Sequence, residues 1–195
     1  MDAQTYAAVR GAMAEAHEAV MALGAVGPPV LWAARSGRLV GYVSLRPVHV
    51  GEDAFQGVSE LGMLAAGAEA DEVMMAWESQ DLAVATGAEP DFDGTCLCVL
   101  WADATGYKLQ RLPYRELDIG PAENGLRACR PDWLVEPAPE VAGPLPLAIS
   151  SALHMCFAGW GEHANPGIEG VRGYLESCGY SVRLLAYRED AAAGS

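Results

Sequence analysis

Two short stretches carry residues at spacings that chemistry needs. In Pro90-Asp91-Phe92-Asp93-Gly94-Thr95 two carboxylates stand one residue apart before a glycine turn. That spacing lets one acid attack an electrophile while the other handles a leaving-group proton. In Ala158-Gly159-Trp160-Gly161-Glu162-His163-Ala164-Asn165-Pro166, glycine-rich backbone precedes a helical pattern. Gly159, Gly161 and Ala164 satisfy a loose G-x-G-x-x-A, and a helix opening there could face a phosphate. His163 would then be the base, with Glu162, Asp91 and Asp93 as carboxylates able to fix its tautomer. Each stretch also has a plainer role, as an acidic turn entering a strand and as an ordinary connection into a helix.

Cysteine and histidine offer less. Cys96 and Cys98 fall on one face of a strand pattern and alternate with Leu97 and Val99, which is core spacing. The five cysteines (Cys96, Cys98, Cys129, Cys156, Cys178) are odd in number and form no C-x-x-C, so free thiols in a cytoplasmic protein are expected. His154, Cys156 and His163 lie near one another in sequence but lack metal-ligand spacing, and neither a metal nor a cofactor is expected. A Cys156–His163 nucleophile pair is the remaining option for them. His17 falls on the apolar stripe of the first helix and reads as a packing histidine with its hydrogen bonds met. His49 reads as part of a solvated loop.

The Asp91–Thr95 run resembles the D-x-D-G-T nucleophile motif of haloacid-dehalogenase-type phosphatases, which implies phosphoryl transfer on Asp91 with Asp93 assisting beside Mg²⁺. That family sets the motif after an apolar strand, whereas here Thr86-Gly-Ala-Glu-Pro precedes it and the strand follows. Pro90-Asp91 resembles the opening of a PD-(D/E)xK nuclease core, but no Asp/Glu-x-Lys triplet follows and Lys108 is the sole lysine. The Gly159–Pro166 stretch is similar to the N-terminal β-loop-α-β unit of GT-B glycosyltransferases. On that likeness His163 is the base and Asn165-Pro166 the helix entry. The likeness covers one short stretch late in the chain, without room for the family's second nucleotide-binding domain. Val73–Ser79, Thr95–Ala102 and Tyr107–Arg115 together resemble small uncharacterised α/β proteins of high-GC bacteria and their viruses, a likeness that implies no activity.

The elements that must position these residues follow from periodicity. Tyr6, Val9, Met13, Ala16, Val20 and Leu23 recur at three- and four-residue spacings and predict a helix over 3–23, stopped by Gly24, Gly27, Pro28 and Pro29. Val30–Ala34 and Leu39–Leu45 predict a hairpin around Ser36-Gly37, in which Trp32 faces Gly41. A helix is expected over Asp53–Ala66, with Gly57 and Gly62 permitting close packing. Strands are expected at Val73–Trp77, Thr95–Ala102 and Tyr107–Leu112. Residues 118–146 hold six prolines and read as an ordered loop or arm anchored by Trp133, Leu134 and Val135. Leu147–Phe157 reads as helix more than strand. Ile168–Cys178 reads as helix with Gly179 as its cap, Ser181–Tyr187 as strand, and Arg188–Ser195 as a polar tail. No internal repeat is evident.

The 195 residues are 51% hydrophobic and 19% charged, a composition that folds and suits one domain. Asp2, Arg10, Glu15 and Glu18 interrupt the apolar run that a signal peptide would need. The uncharged stretch Val141–Gly161 contains Pro144 and Pro146 between Glu140 and Glu162, which argues against a membrane span. A net charge of −14 argues against nucleic-acid and anionic-membrane binding, both of which need clustered Lys/Arg. Between Arg46 and Lys108 there are twelve acids and no Lys or Arg. The expectation is a single α+β domain over 1–187, with a mixed or mostly antiparallel sheet of five or six strands, helices on one face and a proline-rich arm. The leading functional expectation is a small cytoplasmic accessory protein without catalysis. It would meet a basic protein surface through Glu69, Asp71, Glu72, Glu78, Asp81 and Glu89. The alternative is a hydrolase or transferase, glycosyl or phosphoryl, working at His163 or at Asp91/Asp93. A closed pocket around His163 would separate the two.

Overall fold

A computed structural model of the protein describes residues 2–90, 93–134, 140–141, 144–158, 160 and 164–185. In chain order the elements are α1 (Ala3–Met21), β1 (Val30–Arg35), β2 (Arg38–Ser44), α2 (Glu52–Glu60), α3 (Gly62–Gly67), β3 (Glu72–Glu78) and α4 (Ser79–Thr86). There follow β4 (Cys96–Asp103), β5 (Gly106–Pro121), β6 (Arg127–Trp133), β7 (Glu140–Val141), α5 (Leu147–Phe157), α6 (Gly167–Ser177) and β8 (Ser181–Leu184). The strands form one sheet in the order β6-β5-β4-β3-β1-β2-β8, with β7 added beside β5. Every described pairing is antiparallel. The class is α+β, as expected.

Both faces of the sheet are covered. Along β4, Cys96, Cys98, Leu100 and Ala102 enter one apolar cluster with Val58 and Leu61 of α2, Leu64 of α3, Ile149 and Ala152 of α5, and Val171 and Leu175 of α6. Leu97 and Val99 point the other way, joining Met74, Ala76, Leu112 and Tyr114 beneath Val9, Met13 and Met21 of α1. The expectation of helices on one face is therefore corrected: among the described helices, α1 covers the second face. An unbroken apolar strand is what burial on both sides requires.

The sheet is also larger than five or six strands, since seven lie on its main path. The extra area comes from residues read as an arm. β5 runs for 16 residues. Its first half pairs with β4 and its second half, from Tyr114 to Pro121, pairs with β6. Pro131 is tolerated there because β6 is an edge strand, where a missing N–H leaves the interior ladder intact. The Trp133 ring lies 5.4 Å from Tyr114 and 6.1 Å from His17, whereas Leu134 is exposed. Val135 lies outside the described residues.

The first hairpin differs by one residue from its expected register. Ser36 and Gly37 both take positive φ, 52° and 74°, and Arg35 pairs with Arg38 across that two-residue turn. A bulge between Ala33 and Ala34 then shifts the pairing, so that Trp32 faces Tyr42 and Ala33 faces Gly41. The Trp32 and Tyr42 rings stack at 4.6 Å. Gly41 lies where a methyl group would stand 2.7 Å from the carbonyl oxygen of Arg183, so glycine lets β8 approach.

Candidate functional site

Leu147–Phe157 is an α-helix, with Ala148, Ile149, Ala152 and Cys156 buried. The glycosyltransferase-like unit needs a strand at that place, so the geometry that would open the loop at the end of a sheet is missing. Gly159, Gly161, Glu162 and His163 lie outside the described residues, as does Asp91. Asn165, in contrast, has a definite local task. Its side-chain oxygen accepts the Gly167 N–H at 2.8 Å, fixing the entry to α6. Asp93 is exposed in the turn that enters β4. The Cys156 thiol is pushed up to about 12 by burial, which removes it as a nucleophile at neutral pH. None of the five cysteines is in a disulfide. Among the described residues no three His, Cys, Asp or Glu side chains stand close enough to hold a metal ion. No helix among them is long and apolar enough to cross a membrane.

The acidic middle third does not form one face. β3 has Glu72 at one end and Glu78 at the other, and acids near the two ends have different surroundings. At the Glu72 end, carboxylates organise turns. Asp71 accepts the Ser36 N–H at 2.8 Å, and Asp103 accepts the N–H groups of Thr105 at 2.7 Å and Gly106 at 3.1 Å. Glu69 is paired with Arg35 at 3.0 Å, so the hairpin brings in a base that the local sequence lacks. Near the other end, Asp53 accepts from Arg46 and from the His49 N–H, which holds its carboxyl down at about 2.

At the Glu78 end the arrangement is different. Glu78 is 4% exposed and faces inward, which corrects its reading as a partner-facing residue. Its carboxylate accepts the N–H of Asp81 at 2.7 Å, capping α4, and the N–H of Cys96 at 3.0 Å, tying β3 to β4. Burial raises its pKa. Asp81 is also raised, by desolvation first and by the Glu116 charge second. The Tyr114 hydroxyl is pushed well up by burial and then by Glu78, Glu116 and Asp81. Three carboxylates from β3, α4 and β5 thus crowd one corner. Arg127 reaches Glu116 only at 3.9 Å, and no described base pairs with Asp81. Glu89 is exposed in the connection from α4 to β4.

A second feature lies under α1. A cavity of about 260 Å³ is lined by Met13, Ala16 and His17 of α1 and by Trp32, Tyr42 and Leu97 of the sheet, among others. His17 is 5% exposed and edge-on to Tyr114 at 5.1 Å. Burial lowers its pKa to about 4, so the ring is neutral at physiological pH. Its Nε2 has no hydrogen-bond partner among the described residues, unlike the satisfied histidine expected from sequence. The apolar stripe that buries His17 was visible in the sequence; the cavity was not, because its walls come from one helix and four strands.

Comparison of the chain with protein families, with curated proteins and with solved structures returns no match.

Proposed function

We propose that the chain is a small non-catalytic accessory protein of the cytoplasm that meets a basic protein surface, and that the contact centres on Asp81 and Glu116, with the exposed Glu89 adding to the negative charge of the connection after α4. The observation that supports this is the close approach of Asp81 and Glu116 at the Glu78 end, where no described base pairs with Asp81 and Arg127 meets Glu116 only at 3.9 Å. The Asp81 carboxyl, raised by burial first and by the Glu116 charge second, loses that repulsion when a cationic group arrives. Glu69 and Asp71 contribute less, because Arg35 and the Ser36 N–H already engage them. The enzymatic alternative at His163 or Asp91/Asp93 has no such support, since the strand its transferase form requires is the helix α5.

The test is titration of a lysine- and arginine-rich peptide by calorimetry. Asp81→Lys/Glu116→Lys is compared with the charge-matched Glu15→Lys/Glu18→Lys on the exposed side of α1. The first pair is expected to weaken binding at least about tenfold more than the second at physiological salt. Equal losses would mean that only net charge acts, and the proposed contact would be withdrawn.

A further inference from the structure

We propose that the cavity beneath α1 is a binding site for a compact, uncharged, largely apolar molecule of bicyclic size that carries one hydroxyl group. The proposal does not rest on the function proposed for the acidic corner.

Five observations converge. A cavity of about 150 Å³ accepts benzene, so about 260 Å³ has room for a fused pair of rings. The lining is mostly aliphatic and aromatic, from Met13, Val20, Val30, Trp32 and Leu97, with Ser44 of β2 also in it and no charged side chain. An anionic ligand would find no cation and an ammonium no acid, which selects an uncharged guest. His17 lines the same cavity, is buried, and leaves Nε2 without a partner. A buried ring nitrogen without a hydrogen bond calls for one, and a hydroxyl both donates and accepts, so it suits either imidazole tautomer. The stacked Trp32–Tyr42 pair adds a flat aromatic wall of the kind that planar rings pack against. Ala12 and Ala16, also in the lining, are exposed on α1, which gives the guest a route in without unfolding the sheet.

The probes are 2-naphthol and 2-methylnaphthalene, alike in size and different in the hydroxyl, titrated against the intact protein by ligand-observed NMR at neutral pH. Wild type is expected to bind 2-naphthol about tenfold more tightly than 2-methylnaphthalene. His17→Phe keeps an aromatic ring against Tyr114 and is expected to bind the two alike. Ala16→Trp, at an exposed position, fills the cavity and is expected to lose both. Failure of wild type to bind either probe would overturn the proposal, as would a hydroxyl preference that survives His17→Phe. Full binding by Ala16→Trp would place the probes elsewhere and overturn it too. Should His17→Phe fail to fold, the Ala16→Trp comparison still decides whether this cavity is the site.

Discussion

His17 and Glu78 are both buried, and protons act on them in opposite senses. The His17 pKa falls from 6.5 to about 4 on folding, so between those values the unfolded chain binds the proton that the native ring refuses. Stability from this residue is complete above about pH 6.5 and drains as the pH falls toward 4, by up to about 3 kcal/mol. Glu78 is shifted upward, so its native carboxyl takes a proton before the unfolded one does, and acidification relieves rather than adds strain there. Chemical denaturation of wild type and His17→Phe between pH 7 and 4.5 isolates the histidine, because Glu78 is common to both. Wild type is expected to lose stability relative to the variant across that range. Parallel curves would mean that the ring accepts its charge in place. Neither residue's environment could be read from sequence. His17 was assigned to the apolar stripe correctly, but a partner for Nε2 depends on what the facing strands present. From sequence Glu78 reads as one more partner-facing acid, because Cys96 and Tyr114, which lie against it, are distant in the chain.

At the scale of elements, most helices and strands were legible because apolar spacing is a local signal, and the misses share a cause. The register of the first hairpin turned on one bulged residue, which the turn residues Ser36 and Gly37 do not announce. α4 is short and acidic at its start, and it forms because Glu78 caps it and Gly87, at φ 69°, ends it. The expected helix over Asp53–Ala66 breaks at Leu61 into α2 and α3, and Gly62 shows what the second piece is for. A methyl group there would collide with the carbonyl oxygen of Ala152 and stand 2.7 Å from Met155 Cβ, so α3 and α5 touch backbone to backbone. Helix propensity favours Gly→Ala by about 1 kcal/mol, whereas overpacking at such a contact costs about 1–3 kcal/mol. Gly62→Ala is therefore expected to lower the melting temperature. Gly173→Ala, in α6 with open space around it, is expected to raise it. If both variants stabilise, the α3–α5 approach is looser than described and the glycine is not needed for packing.

At the scale of the whole molecule, a net charge of −14 does not act as a single field. The two acidic regions are separated by the length of β3, seven residues or about 20 Å of strand. Salt screens over about 8 Å at physiological ionic strength but over about 30 Å at 0.01 M. The two ends should thus behave as independent surfaces in the first condition and as one field in the second. For a basic peptide this separates local from global attraction. Asp81→Lys/Glu116→Lys and Glu69→Lys/Asp71→Lys change net charge equally, so at 0.01 M salt they are expected to slow association by similar factors. At physiological salt the penalty for the Glu69 and Asp71 pair should largely vanish, because Arg35 and the Ser36 N–H already occupy those carboxylates. The penalty at Asp81 and Glu116 should persist, because direct contact outlasts screening. Stopped-flow association rates across a salt series read both limits. A crossing of the two variants, with the Glu69 and Asp71 pair dominant at physiological salt, would move the partner surface to the opposite end of the sheet.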